Sequence, residues 1–67
     1  MKYRLEFICG QSRGHSIHNS LPEAVNQSAV EFNRGAHHMR VIEYDTDPAN
    51  GKVVAIQAND ERQLKIL

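Results

Sequence analysis

The chain has 67 residues, with 8 Lys+Arg against 8 Asp+Glu, 40% hydrophobic and 24% charged. That length holds a single domain, residues 1–67, and the apolar fraction is above that of a disordered tail. A net charge of zero excludes the basic excess that marks proteins coating bare nucleic acid.

In chain order, Tyr3, Leu5, Phe7 and Cys9 alternate with Lys2, Arg4 and Glu6, a period of two that predicts a strand with one buried face. Gly10-Gln11-Ser12-Arg13-Gly14 reads as a turn, and His15-Ser16-Ile17-His18 as a short second strand pairing back. Ser20-Leu21-Pro22-Glu23 is a helix start: Ser20 can accept from the Glu23 amide, Glu23 can reach back to the Ser20 amide, and Pro22 sits where a missing donor costs little. At 100° per residue, Leu21, Ala24, Val25, Ser28, Ala29 and Phe32 form a stripe about 140° wide. The helix is expected over residues 21–34, closed by Gly35.

Met39 to Tyr44 reads as a third strand and Lys52 to Gln57 as a fourth. Asn50-Gly51 between them supplies the tight reversal. Asn59-Asp60-Glu61 is a further turn, with Gln63 to Leu67 as an edge strand. The expected fold is α+β in two layers: an antiparallel sheet of four to five strands, order ββαββ(β), with one helix on one face.

One helix leaves the other sheet face open. With Tyr3, Leu5 and Phe7 under the helix, and Met39 and Val41 also inward, that open face carries Lys2, Arg4, Ile8, Arg40, Ile42 and Tyr44. Either Val53 and Ala55, or Val54 and Ile56, join them, because a continuous apolar run cannot all point inward. Such a face suits docking. A loop, the terminal strand or a second copy of the chain, as a homodimer through this face, are the plainer ways of covering it.

Charge is polarised along the chain. Residues 1–40 hold five basic against three acidic side chains, a balance of +2, and residues 41–67 hold three against five, a balance of −2. The acidic residues gather at two turns, Asp45/Asp47 and Asp60/Glu61, where such residues also suit turn chemistry.

Cys9, His15, His18, His37 and His38 are potential zinc ligands, but a structural site needs four that converge. On strands, His15 and His18 diverge, as do His37 and His38, so no metal and no other cofactor is expected. Cys9 with a histidine lacks a third, orienting residue and lies at the end of an apolar strand face, where a buried thiol is inert. The Asp45 to Gly51 segment departs from a calcium loop in its spacing, and Gly10 to Gly14 lacks the end of a phosphate loop. No catalytic set emerges. A lone cysteine, the absence of a ~20-residue apolar run and charges spaced through Met1 to Glu6 point to the cytoplasm, of a bacterium or of a phage's host cell, with no membrane association.

The short first hairpin, Ser20-Leu21-Pro22-Glu23-Ala24 opening the helix, Met39-Arg40-Val41-Ile42-Glu43 after it and the Asn50-Gly51 hairpin resemble small phage and mobile-element proteins of the anti-CRISPR type. The resemblance spans most of the chain as a pattern, with no diagnostic motif. It implies a non-enzymatic inhibitor that binds a host CRISPR effector complex and blocks DNA binding through surface residues.

The leading expectation is therefore a protein-binding module for a host protein or nucleoprotein complex, with Arg4, Arg40, Ile42, Tyr44, Asp45 and Asp47 as its contact residues. The alternative is a small nucleic-acid-binding module using the open face, with Tyr3 and Tyr44 stacking bases and Lys2, Arg4, Arg13 and Arg40 meeting phosphates. A zinc-binding domain is third.

Overall fold

The computed structural model describes all residues, 1–67. Five antiparallel strands form one sheet: β1 (Lys2–Cys9), β2 (Ser12–His18), β3 (Ala36–Tyr44), β4 (Lys52–Ile56) and β5 (Lys65–Ile66), in the order β2-β1-β3-β4-β5. The single helix, α1 (Leu21–Asn33), lies on one face. This is the expected α+β architecture, with the terminal strand present but only two residues long.

The helix forms for the reasons visible in its sequence. Ser20 Oγ accepts the Glu23 amide at 3.3 Å, and Gly35, with φ +96°, follows the C-cap Arg34. Glu23 reaches one residue further back than expected, accepting from the Asn19 amide at 3.2 Å. Ala24 and Ser28 are buried against the sheet, and Ser28 Oγ satisfies itself by donating to the Val25 carbonyl at 2.6 Å.

The core is Leu5, Ala24, Ala36, Met39, Val41, Ala55 and Leu64, with Tyr3, Phe7, Leu21, Phe32 and Val54 packed around it. The inward orientation of Met39 and Val41 is as the sequence suggested. Leu64 reaches this core from the segment after β4. Gln57 pins that segment: its amide donates to the Met39 carbonyl at 2.8 Å, its Oε1 accepts the Met39 amide at 3.2 Å, and its Nε2 donates to the Glu61 carbonyl at 2.8 Å.

Two irregularities set which side chains share a face. The β1–β3 register shifts between Glu6 and Ile8, opposite His38, whose φ is +52°. That bulge lets Ala36 and Met39, three apart, both face the core. The β3–β4 register shifts between Val41 and Ile42, so Ala55 pairs with Val41 inward while Val53 pairs with Ile42 outward. Neither pair expected from strict alternation in β4 is right, because the extra residue, Val54, breaks the period.

Both hairpins also differ from their expected turns. The first is a two-residue turn, Gly10-Gln11, closed by Cys9 and Ser12. Positive φ at Gly10 (+63°) and not at Gln11 is the type II′ pattern. β2 therefore begins at Ser12, and Gly14 is a strand residue: the Phe7 ring occupies its side-chain space, with Cε2 2.5 Å from where a Cβ would stand. In the second connection Asn50-Gly51 makes no tight reversal. Asp47 Oδ1 accepts the Ala49 amide at 3.0 Å and starts a 3-10 turn, Pro48–Asn50. Gly51 has φ −85° and is glycine for want of space: a Cβ there would overlap the Ile42 side chain and lie 2.7 Å from the Glu43 carbonyl oxygen.

Candidate functional site: a basic groove on the open sheet face

The helix contacts β3, β1 and β2. The opposite face of those strands is built from the even positions of β1 and their partners. Arg4 lies opposite Ile42 and Ile17, Glu6 opposite Arg40 and His15, and Ile8 opposite His37 and Arg13. The bulge at His38 adds that side chain to this face. The result is a shallow groove of about 470 Å³ lined by Arg4, Glu6, Phe7, Ile8, Arg13, Gly14, His15, His38 and Arg40.

Glu6 organises its floor. Arg4 Nε donates to Glu6 Oε2 at 2.9 Å and Arg40 Nε donates to Glu6 Oε1 at 2.8 Å, so one carboxylate holds two guanidiniums. Partial burial pushes the Glu6 pKa up, but the hydrogen bonds from Arg40 and Arg4 outweigh it and hold the carboxyl below its ordinary value. Arg13 has no carboxylate partner. Three guanidiniums and two imidazoles thus surround one carboxylate. Arg4, Glu6 and Arg40 also line a second hollow of about 500 Å³, together with Ile42, Val53, Asp47, Pro48, Ala49 and Gly51.

The sequence-level contact residues divide accordingly. Arg4 and Arg40 lie at the centre, and Arg13 is on the rim. Ile42 does face this side of the sheet, but it is only 7% exposed, covered at Gly51, so it is not available for contact as expected. Tyr44 is half-buried at the end of β3 opposite Lys2, clear of the groove, and Lys2 donates to Asn19 Oδ1 at 3.3 Å. Asp45 is exposed, whereas Asp47 caps the 3-10 turn with the carboxylate that was expected to meet a partner. Tyr3 is on the wrong face for the nucleic-acid alternative. It packs on the helix side and its hydroxyl donates to Glu43 Oε2 at 2.9 Å, a bond that, with desolvation and the Glu43 charge, raises its pKa.

Glu6, His15 and His38 were not among the expected contact residues. Parity places Glu6 and His15 on the open face, so a two-residue count from Arg4 and across the hairpin finds them. His38 joins only through the bulge, which nothing in Ala36-His37-His38-Met39 announces. Cys9 is exposed, contrary to its expected burial, and its Sγ donates to the Arg34 carbonyl at 3.6 Å. His37 and His38 do not diverge as expected: the positive φ at His38 breaks the extended backbone, and their rings lie 4.7 Å apart, tilted by 59°. His18 pairs with Ser16 Oγ at 2.7 Å, and no three His, Cys, Asp or Glu side chains form a metal-holding group. No helix is long and apolar enough to cross a membrane.

Comparison with family models, curated proteins and solved structures found no match to this chain.

Proposed function

We propose that this chain is a non-enzymatic protein-binding module whose basic groove docks an acidic surface of a partner protein or nucleoprotein complex in the cytoplasm. One observation carries the reading: Arg4, Arg13 and Arg40, with His15 and His38, converge on a concave, solvent-open face whose one carboxylate, Glu6, is already engaged by Arg4 and Arg40. Arginine anchors in a hollow are the form that recognition of carboxylates takes. The nucleic-acid alternative has less to stack bases on: of its two tyrosines, Tyr3 packs on the helix side and Tyr44, at the end of β3 opposite Lys2, lies clear of the groove.

The test compares a glutamate-rich peptide with single-stranded DNA of equal net charge, at low and physiological salt. Tighter binding of the peptide, abolished in Arg4→Ala/Arg40→Ala, is expected; tighter binding of the DNA favours the alternative, and no binding of either refutes both. The finer proposal, an anti-CRISPR-type inhibitor of phage origin, rests on the sequence resemblance. It is tested by adding the protein to a purified crRNA-guided effector: undiminished binding of target DNA refutes it.

A further inference from the structure

The two edges of the sheet are not alike. β5 is two residues long, short enough to blunt its own edge. β2 is seven residues, regularly paired with β1 along its whole length, and carries none of the usual guards: no proline, no lysine and no bulge. Its outer row of backbone groups is identifiable. The turn-closing pair Cys9–Ser12 is hydrogen-bonded, and pairs alternate from there, so Ser12, Gly14, Ser16 and His18 bond to β1. The amides and carbonyls of Arg13, His15 and Ile17 therefore point away from the sheet.

We propose that β2 pairs antiparallel with β2 of a second copy, in the register that sets His15 opposite His15, joining two sheets into one. The strand is self-complementary in that register. Arg13, its one permanently charged residue, falls opposite Ile17 rather than opposite a like charge, and its aliphatic stem covers an isoleucine that is 43% exposed in the single chain. On the helix side the seam would be lined by Ser12, Gly14 and Ser16, small enough for the two halves to close together. Arg13, His15 and Ile17 of each copy supply the pairing, about six backbone hydrogen bonds across the two-fold axis. This contact is distinct from a homodimer through the open face: it takes up the β2 rim of the groove, Arg13 and His15, and leaves Arg4, Glu6 and Arg40 outside the seam.

Sedimentation equilibrium and backbone amide exchange on the wild-type protein test it together. The expected result is twice the chain mass in the micromolar range, halving on dilution, with the Arg13, His15 and Ile17 amides protected only in the dimer. His15→Pro removes an outward donor and leaves the β1 ladder whole, so it should give a folded monomer. Ile56→Lys, on the open face, should leave the dimer intact. A wild-type protein that stays monomeric, with those three amides exchanging freely while Gly14 and Ser16 are protected, overturns the proposal. So does a dimer that survives in folded His15→Pro, or one that Ile56→Lys dissolves. If His15→Pro fails to fold, the exchange pattern of the wild type decides.

Discussion

Glu6→Gln separates the two roles of the groove floor, because it keeps the shape and removes the charge. In the wild type Glu6 accepts from Arg4 at 2.9 Å and from Arg40 at 2.8 Å. Hydrogen bonds to a charged group are worth about 1.5–3 kcal/mol, and exposed ion pairs about 0–1 kcal/mol. The side chains of Arg4 and Glu6 are 27% exposed and that of Arg40 is 54% exposed, which places the pair with Arg40 near the lower figure. Glutamine retains a neutral acceptor, so the net cost is about 1 kcal/mol, or roughly 4–8 °C in a domain of this size. The cost depends on pH with a definite sign. The folded pKa of Glu6 lies below its ordinary 4.5, so its ionised form adds stability at pH above that value and loses it as pH falls through the lowered one. Urea melts should therefore show wild type and variant apart at neutral pH and converging in acid. Binding should move oppositely. Removing the groove's carboxylate from beside an acidic peptide relieves about 1 kcal/mol of repulsion at close approach in a water-like dielectric, about fivefold in affinity at low salt and less at high salt. Melts that stay parallel at every pH, or calorimetry in which Glu6→Gln binds the peptide more weakly, would refute this account of Glu6.

Gly51→Ala places a Cβ against the Ile42 side chain and 2.7 Å from the Glu43 carbonyl oxygen, and backbone cannot swing aside. A loss of about 1–3 kcal/mol is expected, and an unchanged urea midpoint would show that the connection has room to move. Ser20→Ala removes the acceptor of the Glu23 amide and should cost about 1 kcal/mol, read as a lower midpoint at unchanged slope. The Tyr3 phenol has a raised pKa because it donates to Glu43, so its stability contribution is full below the ordinary value of 10.0 and is lost as pH rises through the folded one. In an ultraviolet titration Tyr3→Phe should delete a phenol that titrates above 10.0, and loss of one that titrates at or below that value instead would contradict the bond.

The sequence revealed whatever depends on local chemistry. The Ser20 cap and the apolar stripe it precedes define the helix, and alternation in Tyr3 to Cys9 assigns both faces of β1. It concealed whatever depends on one residue more or less in a ladder. Val53-Val54-Ala55-Ile56 is apolar throughout, so nothing local says that Val54 is the extra residue and that Val53 and Ile56 share the open face. Gly14 looks like a turn residue until Phe7 is placed opposite it, and only then is the glycine explained by an aromatic ring across the strand pair. Asn50-Gly51 fails as a hairpin signal because Asp47 and Pro48 start a 3-10 turn first, and no local rule ranks the two. The groove was half legible for the same reason. Arg4 and Arg40 follow from parity, Ile42 was lost to a loop whose path could not be read, and His38 arrives by a bulge.

That loop answers, for half of the sheet, what covers the face the helix leaves open. The connection 45–51 folds back so that Gly51 closes on Ile42, and the apolar residue there becomes buried. On the other half the chain does something different. Ile8 is left half-buried in a floor whose charged members, Arg4, Glu6 and Arg40, hold one another in place. Glu6 engages one nitrogen each of Arg4 and Arg40, which leaves the guanidiniums with unspent donors. The core of Leu5, Met39, Val41 and Ala55 lies wholly on the far side of the sheet. Fold and groove therefore respond to different variables: apolar burial sustains the first at any ionic strength, whereas a partner held by the second should be released by salt at concentrations that leave the helical signal untouched.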